Sequence, residues 1–574
     1  MKDDAKSNKT KIIYQSAVQI LIIIFIGFFS YSNTLNAPFE FDDEVNIVNN
    51  TVIRDFNFFK EPALVRSSTI ANNVKYFFHT RYIAYLSFAI NYRLHGLDVF
   101  GYHVVNIAIH IINAMLVYWF IILSFKTPFF RGSMFAPDSV SSDNRNYAGM
   151  IAFFSSIIFV AHPIQTQAVT YIVQRFTSMA AMFYLFSLVF YIESRLITIN
   201  GQQSAVSSQG KEQKTKHIKF KKWSCYCASI IAAALAMKTK EISFTLPLII
   251  VVYEFLFFDG KIKRRLLYLV PILLTISIIP LSLLTSNPLG TQNIEDAFKI
   301  ASPKNSISAW DYLITQFRVI VTYIRLMFPP VVQNLDYDYP VYRSFFDVKT
   351  VLSFLLLVSL FGFAIYLLRR SSIMDSKGNS ILRLSAFGIF WFFITLSVES
   401  SIIPIHDVIF EHRVYLPSVG FLTAIVALII SARIFLLDKF VVIGKALVPV
   451  LMVTVLIFSG ATYARNTIWQ DEIKLWEDVV KKSPNKARVH YNLGVVYEKK
   501  GRIYEAMDKY LTVIKLSPNH ADAYNNLGAA YAKIGRLDKA VENFYFAAKL
   551  KPEDDDIQRN FSRASEELVG RNRQ

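Results

Sequence analysis

The sequence predicts an all-α protein in two parts: a helical domain that crosses a membrane many times, then a C-terminal α-solenoid of helical repeats. Hydrophobic residues make up 53% of the 574 residues and charged residues only 18%, whereas soluble domains carry about a quarter charged residues. Apolar runs recur through the first four fifths of the chain, and about 20 apolar residues span a bilayer. The remaining residues lack such runs and repeat themselves. A single soluble globule is therefore excluded.

Eleven apolar segments fit membrane spans within residues 1–465. They lie near 12–33, 101–125, 148–163, 176–195, 223–237, 242–258, 266–284, 349–368, 384–403, 419–436 and 446–463. The first segment follows several lysines, as a signal peptide would. Its length and the absence of an A-x-A cleavage site after it favour a retained first span.

The basic residues predict the orientation of these spans. The formal net charge is +18, and the densest basic stretches, 211–222 and 261–265, fall in alternate loops on the same side as the N-terminus. Basic loops stay in the cytoplasm, so we expect a cytoplasmic N-terminus and everything after Tyr463 on the opposite side. This placement explains the positive charge without a nucleic-acid partner, and none is expected.

Residues 307–328 are long and apolar enough for a twelfth span. They also carry a polar stripe at helical spacing, formed by Asp311, Thr315, Arg318, Thr322 and Arg325. A twelfth span would reverse the later loops and place the basic residues of 369–383 outside. We therefore expect an amphipathic helix that lies at the outer interface or lines a polar cavity, within an outer loop 285–348.

The tail, 466–574, is predicted to be the solenoid. A shift of 34 residues aligns Asn492 with Asn526, Gly494 with Gly528 and Pro518 with Pro552, a pattern that resembles the tetratricopeptide repeat. We expect a half repeat at 469–486, full repeats at 487–520 and 521–554, and a capping helix at 555–568.

Grooves of such repeats bind extended peptides. The candidate residues for hydrogen bonds to a peptide backbone are Asn492, Asn525 and Asn526. The alternative is that asparagine is only what helix packing tolerates at these positions.

Three adjacent acids open the first outer loop, 34–100. Asp42, Asp43 and Glu44 repel one another, which raises the proton affinity of at least one of them and suits a general base or a cation ligand. The alternative is a solvated acidic loop. A divalent metal held by these three acids stays open, but no HxxxH or HExxH spacing supports a zinc enzyme.

Further polar groups are expected on the same outer face. They are His79, Arg81, His162, Arg175, Lys238, Lys240, Glu241, His406, His412 and Arg413. Each one alone is typical of an interfacial anchor. Together, cations beside acids at a membrane boundary suit chemistry on a lipid-linked phosphate, because cations stabilise the leaving phosphate and a carboxylate takes the proton of an attacking hydroxyl.

A resemblance joins these segments. The segments, in chain order, are FEFDDEVNIVNN, HTRYIAYLSFAINYRLHGLDVFGYHVVNIAIHIINAMLVY, AHPIQTQAVTYIVQR, KTKEISFTLPL, NLDYDYP and EHRVYLPSVGF. Followed by the repeats, they resemble the transmembrane and tetratricopeptide-repeat O-mannosyltransferases and their bacterial relatives. That family belongs to the GT-C glycosyltransferases, which move a sugar from a polyprenyl phosphate to an acceptor at the non-cytoplasmic face. The resemblance covers nearly the whole chain.

The resemblance implies a site. Asp42 and Asp43 match the acidic pair of the first outer loop, one of them acting as catalytic base. Arg81, Arg175, Lys240, His412 and Arg413 match motif positions, and from their charge we expect them to bind the donor phosphate. The expected activity is transfer of mannose or another hexose from the polyprenyl-phosphate donor to serine or threonine hydroxyls of a protein that the repeats hold.

The short repeat array departs from the eukaryotic members, which carry many more repeats. It favours a bacterial inner membrane with the repeats in the periplasm over the endoplasmic reticulum membrane. Two other function classes stay open: a non-catalytic scaffold, which would need Asn492 and Asn526 but not the acids, and a transporter. A transporter should carry charge within its spans, whereas these acids lie at loop boundaries.

Overall fold

A computed structural model describes residues 2–68, 70, 72–131, 144–207, 212–285, 307–328, 330–372, 379–405 and 407–572. Its regular elements are helices, with no β-strand among these residues, so the predicted all-α class is confirmed. Residues 286–306 of the expected outer loop 285–348, and His406, lie outside the described residues. Two compact units are present, Met1–Val331 with Val341–Asn466, and Val332–Pro340 with Thr467–Gln574.

The first unit is built of long apolar helices joined by short helical turns. Its α-helices are α1 Lys2–Tyr31, α2 Asn57–Lys60, α3 Asn72–Phe78, α4 Tyr82–His95, α5 Val99–Ser124, α6 Pro128–Arg131, α7 Asn144–Ala161, α8 Thr166–Val169, α9 Arg175–Ser207, α10 Glu212–Met237, α11 Leu246–Phe257, α12 Ile262–Leu274, α13 Ile278–Thr285, α14 Ala309–Met327, α15 Val348–Ser371, α16 Ile381–Leu396, α17 Tyr415–Lys439 and α18 Val441–Trp469, which ends in the second unit.

Seven helical segments of the described chain are long and apolar enough to cross a membrane, so the protein is an integral membrane protein. They are Tyr14–Thr34, Val99–Ser124, Ile172–Ile199, Ile262–Leu284, Val348–Ser371, Glu411–Leu437 and Val441–Trp469. Helices also occupy the other predicted spans. Of these, α16 is shorter, α11 has only 12 residues, and α10 begins in a charged stretch, because its first turns belong to the basic segment 211–222.

An eighth candidate span is broken. Tyr147–Ala161 and Pro163–Val169 meet at an angle of 53°. His162 lies at the bend, where its Nδ1 accepts the backbone N–H of Ile164 at 3.1 Å, and Pro163 begins the next turn without an N–H to satisfy. The polar residues after the bend, Gln165 to Gln167, are buried.

Helix α14 is the amphipathic segment predicted at 307–328, and it is not among the candidate spans. Two residues of its polar stripe contact later segments of the chain. Thr315 Oγ1 accepts the backbone N–H of Tyr342 at 2.9 Å, and an Arg318 N–H donates to Ser353 Oγ at 3.2 Å. These two residues therefore pack against the segments that follow α14, whereas Arg325 of the stripe is exposed.

Helices α16 and α17 approach closely through small residues, as helices in membranes often do. A Cβ atom on Gly388 would lie 2.3 Å from the carbonyl oxygen of Gly420. A Cβ atom on Gly420 would lie 2.5 Å from the ring of Trp391, which is fully buried. The two glycines bring the backbones together beside the aromatic core.

The second unit is a stack of antiparallel helix pairs. Beyond α18 it contains α19 Glu472–Lys482, α20 Ala487–Lys499, α21 Ile503–Leu516, α22 Ala521–Lys533, α23 Leu537–Leu550 and α24 Asp555–Asn572. Glycines at equivalent positions let the pairs close, since a Cβ on Gly494 would meet Tyr510 at 2.7 Å and one on Gly528 would meet Phe544 at 2.9 Å.

The segment Val332–Pro340, which contains the NLDYDYP motif, belongs to this second unit. Asp336 is 1% exposed and its carboxylate accepts Lys486 Nζ at 2.5 Å and two Arg488 nitrogens at 2.6 and 2.8 Å. Ser483 Oγ donates to the Asp336 carbonyl at 2.8 Å. A segment that precedes α15 in the chain is thus held by the first helices of the stack.

Candidate active site

The two acids of the first outer loop have different environments. Asp43 is 1% exposed, and its carboxylate accepts two backbone N–H groups: Glu40 to Oδ2 at 3.0 Å and Val173 to Oδ1 at 2.7 Å. Asp42 is exposed. The loop thus buries Asp43 against the turn before α9 and leaves Asp42 at the surface.

Burial raises the pKa of Asp43 to about 8. The hydrogen bonds from Glu40 and Val173 lower this pKa, because they favour the carboxylate, and the neighbouring charge of Asp42 raises it. The repulsion expected from adjacent acids is therefore present, but burial contributes more to the shift.

The backbone around the pair is unusual. Phe41, just before it, has φ of 50°, a left-handed conformation that is strained for a bulky residue. A π-helical turn, Glu44–Val48, follows directly, and such turns are frequent at functional sites. Local strain and a π-helical turn thus flank the two acids.

Tyr171 lies beside Asp42. Its hydroxyl accepts the Asp42 backbone N–H at 2.7 Å, and its ring stacks on Phe41 with centroids 6.5 Å apart. Burial raises the pKa of Tyr171 well above its ordinary value, and the charges of Asp42 and Asp43 raise it further. Tyr171 remains a neutral phenol that fixes the position of the loop.

Glu44, the third acid, accepts Asn49 Nδ2 on Oε1 at 3.0 Å. Across the described residues, no three side chains of His, Cys, Asp or Glu form a group that could hold a metal ion. Asp42, Asp43 and Glu44 therefore do not converge as a metal-binding set.

A second group of charged residues, called here the ion cluster, consists of Arg81, Lys240, Glu241, Glu399, His412 and Arg413. Arg81 binds Glu241 through two contacts, Nε to Oε1 at 3.3 Å and an NH2 nitrogen to Oε2 at 3.2 Å. Its guanidinium lies over the ring of Phe77 at 4.2 Å. Burial raises the pKa of Glu241, but the charge and hydrogen bonds of Arg81 outweigh it, so this pKa lies below its ordinary value.

Lys240 is 7% exposed and makes two polar contacts. Its Nζ lies 3.1 Å from Glu399 Oε1 and donates to Thr177 Oγ1 at 2.9 Å. Burial lowers the pKa of Lys240, against the opposing effect of the Glu399 charge. Arg81 and Glu241 also act on this amine, so the two ion pairs are neighbours.

His412 and Arg413 lie in a buried turn, Glu411–Val414. The His412 backbone N–H donates to Gln167 Oε1 at 2.8 Å, while its buried Nδ1 has no hydrogen-bond partner among the described residues. Arg413 donates to the carbonyls of Val408 and Asp407 at 3.2 and 2.8 Å.

Electrostatic interactions join this turn to the ion pairs. The charges of Lys240 and Arg81 act on His412, and that of Glu399 acts on Arg413. Four of the five cationic positions predicted from the sequence therefore come together.

Arg175, the fifth, lies elsewhere. It is fully buried and donates to Asn106 Oδ1 at 2.7 Å, Asn91 Oδ1 at 2.6 Å and the Tyr102 carbonyl at 3.0 Å. The ring of Phe88 covers the guanidinium at 4.5 Å. Arg175 anchors the start of α9, two residues after the N–H that binds Asp43.

Tyr85 connects the acidic loop with the ion cluster. Its hydroxyl donates to Asn46 Oδ1 at 2.8 Å, and its ring meets Phe176 edge-on at 5.2 Å. Burial raises the pKa of Tyr85, Arg81 lowers it, and Glu241 and Asp42 raise it. One tyrosine thus lies within electrostatic reach of both groups.

Sequence reasoning missed Glu399, Tyr85 and Tyr171 as site residues. A signal existed for Glu399, which is a lone acid inside the predicted span 384–403, and acids within spans are rarely without function. The two tyrosines had no such signal, because tyrosine is common in this chain, which contains 30 of them.

The asparagines predicted in the repeats lie on the first helices of successive pairs, α20 and α22. Asn526 Nδ2 donates to the Tyr491 hydroxyl at 3.2 Å and Asn525 Nδ2 to Asn526 Oδ1 at 3.3 Å. The buried Nδ2 of Asn492 has no partner among the described residues. Asn560, 34 residues after Asn526, donates to Asn525 Oδ1 at 3.0 Å; the repeat period would have identified it.

Comparison with known proteins gives three kinds of match. Residues 499–535 match the family described as TPR repeat, and residues 521–554 match the tetratricopeptide repeat, which confirms the repeats. The protein O-mannosyl-transferase F38B6.6 of Caenorhabditis elegans is 26% identical over 523 residues, covering 88% of this chain and 64% of the relative.

Other curated relatives carry the same description. Protein O-mannosyl-transferase TMTC2 of Homo sapiens is 24% identical over 84% of this chain and 61% of its own length. Tmtc3 of Drosophila melanogaster is 23% identical over 74% of this chain and 47% of its own. The chain thus spans about half to two thirds of the length of these relatives.

Among solved structures, ArnT of Cupriavidus metallidurans, crystallised with undecaprenyl phosphate, aligns with a TM-score of 0.40 and 14% identity, covering 93% of this chain and 80% of that one. The resemblance predicted from the order of the motifs is confirmed by the curated relatives: the chain is similar, over most of its length, to the membrane-spanning, repeat-bearing protein O-mannosyltransferases.

Proposed function

We propose that this protein is a GT-C type membrane glycosyltransferase that moves a hexose, mannose in the first instance, from a polyprenyl phosphate to a serine or threonine hydroxyl of a protein. The observation that carries the proposal is the position of Tyr85, whose hydroxyl donates to Asn46 Oδ1 of the acidic loop at 2.8 Å and interacts electrostatically with Arg81 of the ion cluster. A general base and a group of phosphate-binding cations then share one site. Similarity to the O-mannosyltransferases supports the same activity.

Asp42 is the proposed catalytic base, because it is the exposed member of the pair and can meet an acceptor. Its carboxylate takes the proton as the acceptor oxygen bonds to the anomeric carbon of the sugar. The bond from that carbon to the phosphate oxygen breaks, and the polyprenyl phosphate leaves with the electron pair. Attack opposite the leaving group inverts the anomeric centre.

Asp43 is proposed as a positioning residue. Both of its oxygens are occupied by backbone N–H groups, so it holds the loop that presents Asp42 against the turn at Val173. Arg175 supports the same turn from inside. Each acts on the reaction through the position of Asp42.

Arg81, Lys240, His412 and Arg413 are proposed to bind the donor phosphate and to stabilise the charge that develops on it as the sugar departs. The unpartnered Nδ1 of His412 supports this role, because a buried nitrogen without a partner gains most from a ligand that completes its hydrogen bonding. Asn492, Asn525 and Asn526 are proposed to hold the acceptor polypeptide. We place these events on the non-cytoplasmic face, with the N-terminus in the cytoplasm.

The test is transfer by the purified full-length protein in detergent, from radiolabelled undecaprenyl phosphate mannose and the glucose analogue to a Ser/Thr-rich polypeptide. We expect Asp42→Asn to reduce transfer by at least about a hundredfold, the typical contribution of a general base. The matched control is Glu61→Gln, which removes an exposed acid of the same loop and should leave transfer unchanged. Full activity in Asp42→Asn would contradict the base assignment. No wild-type transfer from either donor, with the protein folded, would favour the scaffold.

A further inference from the structure

Two cations of the ion cluster that are proposed to bind the donor phosphate are already paired with carboxylates. Arg81 is bound by Glu241 and Lys240 by Glu399. A phosphate that binds these cations has to share them with the carboxylates or displace one of them. The two pairs are built differently, and the difference identifies which carboxylate can leave.

Glu241 is held firmly. It accepts two nitrogens of Arg81 in a forked contact, and Thr80 Oγ1 donates to its Oε1 at 3.0 Å. Forked pairs of arginine and carboxylate are the stronger kind, because two parallel hydrogen bonds fix the geometry. Glu241 also starts the helical turn Glu241–Thr245, so its backbone is fixed next to Lys240.

Glu399 is held less firmly. A single contact of 3.1 Å joins it to Lys240, and a lysine amine binds as a point charge without directional preference. Glu399 lies in a non-helical stretch after α16, but its backbone carbonyl accepts the Tyr312 hydroxyl at 2.6 Å. The side chain can therefore swing while its backbone stays in place.

Resting on the function proposed above, we propose that Glu399 is an exchangeable counter-ion of Lys240: the donor phosphate displaces its carboxylate, and the carboxylate returns as the product lipid leaves. The donor phosphate is a diester with one negative charge. Transfer leaves a monoester, which gains a second charge near neutral pH. A carboxylate close to Lys240 repels the monoester more than the diester, so Glu399 favours release of the product lipid over loss of the donor.

An ordinary positioning role makes the opposite prediction. If Glu399 only oriented Lys240 toward the phosphate, its removal would weaken the binding of both lipids. As a competing counter-ion, its removal strengthens binding. The sign of the change separates the two roles.

The experiment measures Kd for radiolabelled undecaprenyl phosphate and undecaprenyl phosphate mannose on the full-length protein in detergent, with the thermal midpoint as a check on folding. We expect Glu399→Gln to lower Kd for undecaprenyl phosphate by roughly threefold to tenfold, and for the mannose diester by less. Glu399→Asp, which keeps the charge, should resemble wild type. Glu241→Gln should raise both values, because Arg81 loses its forked partner.

Glu61→Gln is the control for removal of an acid outside the cluster and should change neither Kd. Unchanged or weaker binding of the monoester by folded Glu399→Gln, with normal wild-type binding, would overturn the counter-ion role and leave the proposed function standing. Wild-type protein that binds neither lipid would contradict the proposed function, and the counter-ion role with it.

Discussion

At the scale of single residues, two adjacent acids lie in different environments, since Asp43 is buried and Asp42 is exposed. The sequence predicted that Asp42 and Asp43 form the acidic pair of a site. The sequence around them does not indicate which of the two acids is buried. That depends on the Val173 N–H, 130 residues away in sequence, and on the Phe41 conformation that turns the loop. A local sequence pattern reveals that the acids are present, but it does not reveal contacts between segments that are distant in the sequence.

The ionisation of Asp43 leads to a pH prediction. Its pKa is about 8, so it is mostly protonated below that pH and ionised above it, and the carboxylate accepts the two backbone N–H groups that hold the loop more strongly than the neutral acid does. We expect kcat/KM for transfer to rise with pH and level off above about 8. Because burial lowers the pKa of Lys240, loss of its proton should make the rate fall again at higher pH.

The measurement is the pH–rate profile of transfer at low donor concentration between about pH 5 and 10, with the thermal midpoint followed in parallel. A rate that is flat from pH 5 to 8 would show that ionisation of Asp43 does not control the position of the loop.

At the scale of elements, the predicted spans coincide with helices along the first unit because apolar runs of this length form helices in a bilayer. Segment 307–328 was correctly predicted to be an amphipathic helix. The residues that contact its polar stripe were not predicted, because Tyr342 and Ser353 lie on later segments. Similarly, the sequence contains 20 glycines and nothing local distinguishes those that touch a neighbouring helix from those that face outward.

The contact of α16 with α17 gives a stability prediction. Gly388→Ala places a Cβ 2.3 Å from the Gly420 carbonyl, so the helices must move apart, at a cost of about 1–3 kcal/mol. Gly362→Ala on α15 is the matched control, because a Cβ there has nothing within 4 Å; this change should be neutral or slightly stabilising.

Thermal midpoints in one detergent, read by size-exclusion chromatography after heating, compare the two glycine variants. We expect Gly388→Ala to lose monodisperse protein at a lower temperature than wild type and Gly362→Ala to match it. Equal midpoints for both variants would show that the close approach of these two helices is not needed for stability.

At the scale of the whole molecule, the repeats were predicted from their period, and the structure adds a segment that no period reveals. In the sequence, the NLDYDYP motif was one of the segments that carry the family resemblance. The structure shows its role in the second unit, where Asp336 is buried and paired with Lys486 and Arg488. The domain boundary at 465/466 stays a prediction that leaves out this insertion. A single boundary in the sequence cannot describe the second unit, because one of its segments, Val332–Pro340, comes from an earlier part of the chain.

Removal of the Asp336 charge should release this segment. Asp336→Asn loses both ion pairs, at a cost of about 1–3 kcal/mol, since the two cations are partly exposed and can turn to water. Asp338→Asn is the matched control, because Asp338 is exposed two residues away. Limited digestion with chymotrypsin, followed by mass spectrometry, should show faster cleavage after Tyr337 in Asp336→Asn alone. Equal cleavage of the two variants would mean that other contacts hold the segment.

The pairing of Asp336 with Lys486 and Arg488 also determines when, during biosynthesis, this segment can bind the repeats. Asp336 and Lys486 are 150 residues apart, and at typical elongation rates of about 5–20 residues per second the ribosome needs roughly 8–30 seconds to reach the second from the first. During that interval Asp336 has already been translated, while Lys486 and Arg488 have not. The repeat unit can therefore bind this segment only after α20 has been made, although the segment itself was made before several of the membrane helices.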